Sequence, residues 1–98
     1  MIRHTVVFCL KHEKDSAEEL SFFTAAKKLA NIHGVETFEM LRQISAKNGF
    51  DYGLSMEFAD QTAYDAYNTD PSHVEFVEQR WMNEVAEFME IDYVALER

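Results

Sequence analysis

Between Phe50 and Phe58 the chain alternates without a break. Phe50, Tyr52, Leu54, Met56 and Phe58 are large and apolar, while Asp51, Gly53, Ser55 and Glu57 between them are small or polar. Successive side chains of a strand point to opposite faces, so this stretch reads as a strand with one face in a core. Such a strand needs partners beside it and a covering layer on its apolar side. The rest of the chain supplies both. Ile2 to Leu10 reads as another strand, with Ile2, His4, Val6, Phe8 and Leu10 on one face. Val7 and Cys9 make its other face largely apolar as well, which points to packing on both sides. A polar loop, Lys11 to Asp15, follows. Ser16 and Glu19 then have the spacing of a capping box, in which each side chain satisfies an orphan amide of a helix start. That helix is expected to run to about His33. Its apolar stripe reads as Leu20, Phe23, Ala26 or Lys27, and Ala30, and Gly34 stands where a left-handed cap belongs.

Val35 to Ala46 reads as a strand of mixed alternation, Phe38 and Met40 against Val35 and Leu41, and Lys47-Asn48-Gly49 as the turn that joins it to the Phe50 strand. Asp60 is placed to cap a short helix through about Asn68, carrying Tyr64 and Tyr67, and Pro71 to open another at its first turn. Val74, Val77, Trp81, Val85 and Phe88 recur at spacings of three and four, so this helix is expected to continue to Phe88. Glu90 to Leu96 reads as the closing strand. The order is βαββααβ. This predicts a ferredoxin-like α+β fold whose four-stranded antiparallel sheet carries helices on one face and whose second helix is broken in two. The open sheet face, with Val7, Cys9, Val94 and Leu96 assigned to it, calls for a second sheet, and a symmetric dimer would provide one.

Composition limits the partners. The 98 residues fit one domain, residues 1–98, and a chain of this size buries only about two-thirds of its unfolded surface. Yet 47% of the residues are hydrophobic, with eight Phe, four Tyr and one Trp, which is more apolar surface than a small core holds and again favours an interface. Eighteen acidic residues against nine basic ones give a net charge of −9, which excludes a phosphate-reading nucleic-acid protein and disfavours an anionic membrane surface. Cys9 is the only cysteine, so no internal disulfide forms, and it reads as a small buried hydrophobe. The N-terminus has no leader pattern and no apolar run approaches a membrane span, so the expected location is the cytoplasm.

Asp65 to Val77, read as Asp-Ala-Tyr-Asn-Thr-Asp-Pro-Ser-His-Val-Glu-Phe-Val, resembles the signature of the stress-responsive α/β-barrel family, called Dabb. The opening Ile2-x-His4-x-Val6-x-Phe8, the strand from Gly49 to Phe58 and the final Ile91-Asp92-Tyr93 are similar to the same family, so the resemblance spans essentially the whole chain. It implies a homodimeric ferredoxin-like α+β barrel. Functions in the family are scattered and include a plant polyketide cyclase that closes a ring by aldol condensation. By that resemblance His73 matches the cyclase's catalytic histidine, Tyr67 the tyrosine that works with it, and His4 a pocket histidine of the first strand. Tyr52 stands where the cyclase has a further histidine, Asp70 replaces the usual His before Pro71, and a pocket tyrosine of the first helix falls near Ala25 and is absent.

Without the resemblance, His73 lies two residues after Pro71, where a helix N-terminus favours neutral imidazole able to accept a proton. Tyr67 would polarise a carbonyl beside it. The plainer reading is that His73 hydrogen-bonds the Tyr67–Pro71 loop and ties two helices together. His4 shares its strand face with Val6 and Phe8, where a lone histidine is commonly a satisfied core residue. If His4, Tyr52, Tyr67 and His73 converge, with Phe8 in the wall, they form an aromatic, weakly polar pocket for a small apolar or aromatic molecule. His12 and His33 read as structural or solvated. No metal-ligand spacing, cofactor signature, phosphate loop or Ser-His-Asp order is present. The sequence thus supports a homodimer that binds a small molecule, or a cofactor-independent cyclase, lyase or isomerase using His73 as base and Tyr67 as partner. A cofactor-free monooxygenase is a third, weaker alternative.

Overall fold

The computed structural model describes residues 1–97. Four strands, β1 (Ile2–Leu10), β2 (Glu36–Arg42), β3 (Tyr52–Phe58) and β4 (Val85–Val94), form one antiparallel sheet in the order β2-β3-β1-β4. Three helices cover one face: α1 (Ala17–Lys27), extended by a tighter turn over Lys28–Asn31, α2 (Gln61–Thr69) and α3 (Pro71–Phe76). Helix α3 continues through a π-helical stretch, Val77–Trp81, and a final turn, Met82–Glu84, directly into β4. This is the ferredoxin-like arrangement that the order of elements predicts.

Local chemistry sets the helix starts. Ser16 accepts from the Glu19 amide, and the Glu19 carboxylate reaches back to the Asp15 amide at 2.5 Å. Asp60 accepts from the Ala63 amide to open α2, and Asp70 from the Ser72 amide to open α3, with Pro71 in its first turn. Gly34 takes the left-handed φ of +92° but does not cap the helix: the first helical segment ends at Asn31, short of the expected His33, and the extended Ile32 follows it. On β3 the alternation holds: Tyr52, Leu54, Met56 and Phe58 are all buried. They pack with Ile2, Val6 and Phe8 of β1 and with Phe22, Ala26 and Leu29 from the first helical segment. The tightest part is aromatic, because the Phe8 ring lies 5.8 Å from Phe22, 5.7 Å from Tyr52 and 5.0 Å from Trp81.

Four further expectations need correction. The stripe that α1 buries is Glu19, Phe22 and Ala26, continuing to Leu29, and Leu20 is 70% exposed. Both stripes have helical spacing in a segment that is apolar on several sides, so periodicity alone leaves the phase open. Strand β2 stops at Arg42, and its register slips between Glu36 and Glu39, where Thr37 takes φ +50°. The last helix ends at Glu84, and Val85 and Phe88 belong to β4. On β4 an extra residue breaks the register opposite Cys9 and Leu10, so that Phe8 pairs with Phe88 but Leu10 with Val85. A bulge therefore puts Val85 and Phe88 on one face at a spacing of three and imitates a helix.

The fourth correction concerns the uncovered face. Val94 pairs with Ile2 and so shares the helix side, and Leu96 lies beyond the strand. Paired residues run across the open face in rows: Leu41, Gly53, Val7 and Met89, and next to it Glu39, Ser55, Thr5 and Ile91. Leu41, Met89, Ile91 and Tyr93 are exposed there, and Cys9 is half-buried with its thiol donating to the Gly49 carbonyl. No helix among the described residues is long and apolar enough to cross a membrane.

Candidate functional site

The helices do not close fully on the sheet. A cavity of about 560 Å³ lies between β1, β3 and β4 on one side and α2, α3 and the π-helical stretch on the other. Val6, Leu54 and Met56 form its floor, Leu29, Phe76, Val77 and Trp81 its walls, and Met82, Val85 and Phe88 also line it. The polar side chains that reach this largely apolar space are His4, Tyr67, Asn68, His73 and Glu90.

His4 comes from the inner face of β1 and is buried. The antiparallel register sets it opposite Asp92, and its Nδ1 donates to Asp92 Oδ1 at 2.6 Å. Tyr64 completes the cluster from α2, its hydroxyl donating to Asp92 Oδ2 at 2.7 Å and lying 2.9 Å from His4 Nδ1. A carboxylate only accepts, so this network places the His4 proton on Nδ1. His4 Nε2 has no hydrogen-bond partner among the described residues. Because no unpaired polar side-chain atom there is sealed from solvent, Nε2 opens on the cavity.

Tyr67 lies between the two histidines, its ring centroid 6.3 Å from His4 and 4.3 Å from His73. Its residue is 2% exposed, and its hydroxyl, likewise unpartnered and unsealed, faces the same space. Burial pushes the Tyr67 phenol far above its ordinary range, with the Glu90 charge adding to it. It is therefore a neutral hydrogen-bond donor at any physiological pH. His73, two residues into α3, donates from Nδ1 to the Asn68 carbonyl at 3.2 Å, so its Nε2 also carries a lone pair. Burial lowers the His73 pKa below the usual imidazole value. The nearby His4 adds to this, while the Asn68 carbonyl, Glu90 and Asp70 pull the other way. The tie to Asn68 is the loop-holding contact of the plainer reading, and it also orients the ring.

Of the residues expected from sequence, His4, Tyr67 and His73 meet at the cavity. Tyr52 and Phe8 do not line it. Phe8 is fully buried in the aromatic core. Tyr52 packs at 5.0 Å from Phe23, and burial, with the Glu19 carboxylate beside it, pushes its phenol up to about 12. Sequence reasoning missed Asp92, Tyr64 and Glu90. The signal for Asp92 was its pairing with His4, which depends on the register of β4. Among the described residues no group of three His, Cys, Asp or Glu side chains is arranged to hold a metal ion. What the arrangement offers chemically is the His73 imidazole, held toward its neutral form, and the Tyr67 phenol as a donor, beside His4 in a largely apolar space. That set suits proton abstraction next to a carbonyl.

A family model described as the stress responsive A/B barrel domain matches residues 2–95. A Dabb family protein with a ferredoxin-like fold from Mesorhizobium loti is 59% identical, the match covering 98% of this chain and 97% of that one with a TM-score of 0.97. A dimeric ferredoxin-like protein of unknown function from Thermobifida fusca shares 18% identity over 96% and 90% of the two chains, at a TM-score of 0.79. The hydroxynitrile lyase from Passiflora edulis shares 14% over 99% and 94%, at 0.84. These last two likenesses show the fold alone. A search of the curated proteins finds no match.

Proposed function

Because the chain belongs to the stress responsive A/B barrel domain family, we propose that it binds a small, largely apolar carbonyl compound between sheet and helices and moves a proton on it without a cofactor. The observation that carries this reading is that His4, His73 and Tyr67 line one largely apolar cavity, and that His4 Nε2, His73 Nε2 and the Tyr67 hydroxyl have no hydrogen-bond partner among the described residues. His73 is the base. Its Nε2 takes a proton from the carbon beside the carbonyl, and the electron pair of that C–H bond moves toward the carbonyl oxygen. The Tyr67 hydroxyl donates to that oxygen as its charge grows. Returning the proton at another atom completes an isomerisation. Loss of a neighbouring group instead makes the enzyme a lyase, and attack of the enolate on a second carbonyl makes it a cyclase. A lyase of the same fold exists in Passiflora edulis, but the reading rests on this chain's own groups. Asp92 and Tyr64 act as positioning residues that hold His4 in one tautomer.

The protein is also proposed to work as a homodimer through the uncovered sheet face. The exposed side chains of Leu41, Met89, Ile91 and Tyr93 on that face support this, as does the description of the Thermobifida fusca relative as dimeric. The cavity lies on the opposite side of the sheet, so each subunit would carry its own site. The test of the site is ligand-observed NMR and thermal-shift measurement with small aromatic ketones and polyketide-like compounds. His73→Ala and Tyr67→Phe are compared with wild type, and solvent deuterium exchange into the carbon beside the carbonyl is followed. Exchange that the wild type accelerates and both variants lose is the expected result. Equal binding and equal exchange in all three proteins removes His73 and Tyr67 from the site.

A further inference from the structure

One charged side chain in the cavity takes no part in the proton-transfer scheme. Glu90 stands on the inner face of β4, paired with Val6 of the cavity floor, and its residue lines the space. It is exposed, and no Lys, Arg or His among the described residues forms an ion pair with it. Among the described residues no Lys or Arg lines the cavity; its other polar side chains are His4, Tyr67, Asn68 and His73. The field of Glu90 reaches the reacting groups, since it helps to raise the Tyr67 phenol and opposes the lowering of His73. A carboxylate without a counter-ion beside an apolar space is costly to cover with a ligand unless that ligand brings a partner for it.

From this juxtaposition we propose that Glu90 sets the charge class of the ligand: the cavity takes compounds that carry a hydroxyl or an ammonium group toward Glu90 and rejects carboxylic acids. The inference rests on the cavity being a small-molecule site. A bound acid would place its charge near that of Glu90 in a partly desolvated cleft with no cation to offset either. Repulsion of that kind costs on the order of tenfold to a hundredfold in affinity. The net charge of −9 repels anions from a distance as well. A hydroxyl or ammonium group gives Glu90 a hydrogen bond in place of the water it loses.

The test uses three aromatic ketones of matched shape: 4-(hydroxymethyl)acetophenone, 4-(aminomethyl)acetophenone and 4-acetylbenzoate. Their Kd values are measured by NMR titration at pH 7 against wild type, Glu90→Gln and Glu90→Lys. Wild type is expected to bind the alcohol and the amine at least tenfold more tightly than the acid. Glu90→Gln should level the amine and the acid to within about threefold, and Glu90→Lys should favour the acid. Glu90 is exposed on the strand, so neither variant disturbs the core, and the wild-type ranking needs no variant at all. If all three ketones bind in the cavity but the ranking is absent, or survives Glu90→Gln, the charge-class inference fails and the small-molecule site stands. If none of them shifts a cavity resonance, both fail.

Discussion

Replacing Asp92 by Asn isolates the one network that orients His4. The carboxylate accepts from His4 Nδ1 at 2.6 Å and from the Tyr64 hydroxyl at 2.7 Å. An amide of the same shape has a single oxygen, so one bond survives as a neutral one and the other meets an N–H group where an acceptor stood. A hydrogen bond to a charged group contributes about 1.5–3 kcal/mol and a neutral one about 0.5–1.5, so the surviving bond loses about 1 kcal/mol. The mismatch adds about 1 kcal/mol more, reduced because the Asp92 side chain is 37% exposed and water can rescue part of it. Asp92→Asn should therefore destabilise the fold by about 1–2 kcal/mol, or roughly 5–15 °C in Tm for a chain of this size. Circular dichroism melts at one fixed protein concentration measure it, since association would otherwise shift Tm. Nitrogen-15 NMR of the imidazole supplies the readout that a merely structural role would not move. Wild-type His4 should carry its proton on Nδ1, and the variant should populate the Nε2–H form. Tyr64→Phe and the double variant close the cycle, and the two changes should couple by more than 0.5 kcal/mol. A variant within about 0.3 kcal/mol of wild type, with the His4 tautomer unchanged, would refute the positioning role.

Three further outcomes are expected. Burial lowers the His73 pKa in the folded state, so the unfolded chain binds more protons just below the ordinary imidazole value of about 6.5. The stability held by neutral His73 is complete above that pH and is lost as pH falls below it. Urea titrations between pH 7 and 5 should thus give a shallower acid-side decline for His73→Gln than for wild type, and parallel curves would count against it. Phe22 is fully buried and its ring lies 5.6 Å from Phe76 and 5.8 Å from Phe8, so Phe22→Ala should cost about 3–5 kcal/mol while exposed Leu20→Ala costs under about 1. Comparable urea midpoints for the two would overturn the assignment of the buried stripe. On the uncovered sheet face, Ile91→Asp should move the sedimentation coefficient from dimer to monomer at micromolar concentration, and a monomeric wild type contradicts the proposed interface.

The parts of the fold that local chemistry dictates were legible before the structure. Ser16, Asp60 and Pro71 act within a few residues of themselves, and each opens the helix its residue type implies. The inner face of β3 needs only alternation. The phase of α1 is different, because Leu20 and Phe22 both lie on stripes of helical spacing and only packing against the sheet chooses between them. Val85 and Phe88 misled for a sharper reason. Strand pairing, a relation between residues far apart in sequence, inserts one extra residue between them, and the resulting spacing of three is the signature by which a helix is recognised.

The same bulge explains why the site was only half visible. His4, Tyr67 and His73 belong to elements whose bounds local signals set, and their convergence followed once the order of elements was known. Asp92 and Glu90 belong to the strand whose start and phase were misread. With β4 begun at Glu90 and Val94 assigned to the open face, even-numbered residues of the strand would have turned away from the cavity. Starting β4 at Val85 and pairing Phe88 with Phe8 reverses that assignment for the whole strand. One register then turns Asp92 toward His4 and Glu90 toward the cavity together. The group proposed to position His4 and the group proposed to choose the ligand are therefore set by a single structural feature. Inserting one residue between Phe88 and Met89 should turn Glu90 and Asp92 to the open face, and the His4 tautomer and the ligand charge ranking should be lost together, whereas deleting Ala86 leaves the pairing of Glu87 to Val94 unchanged and should keep both.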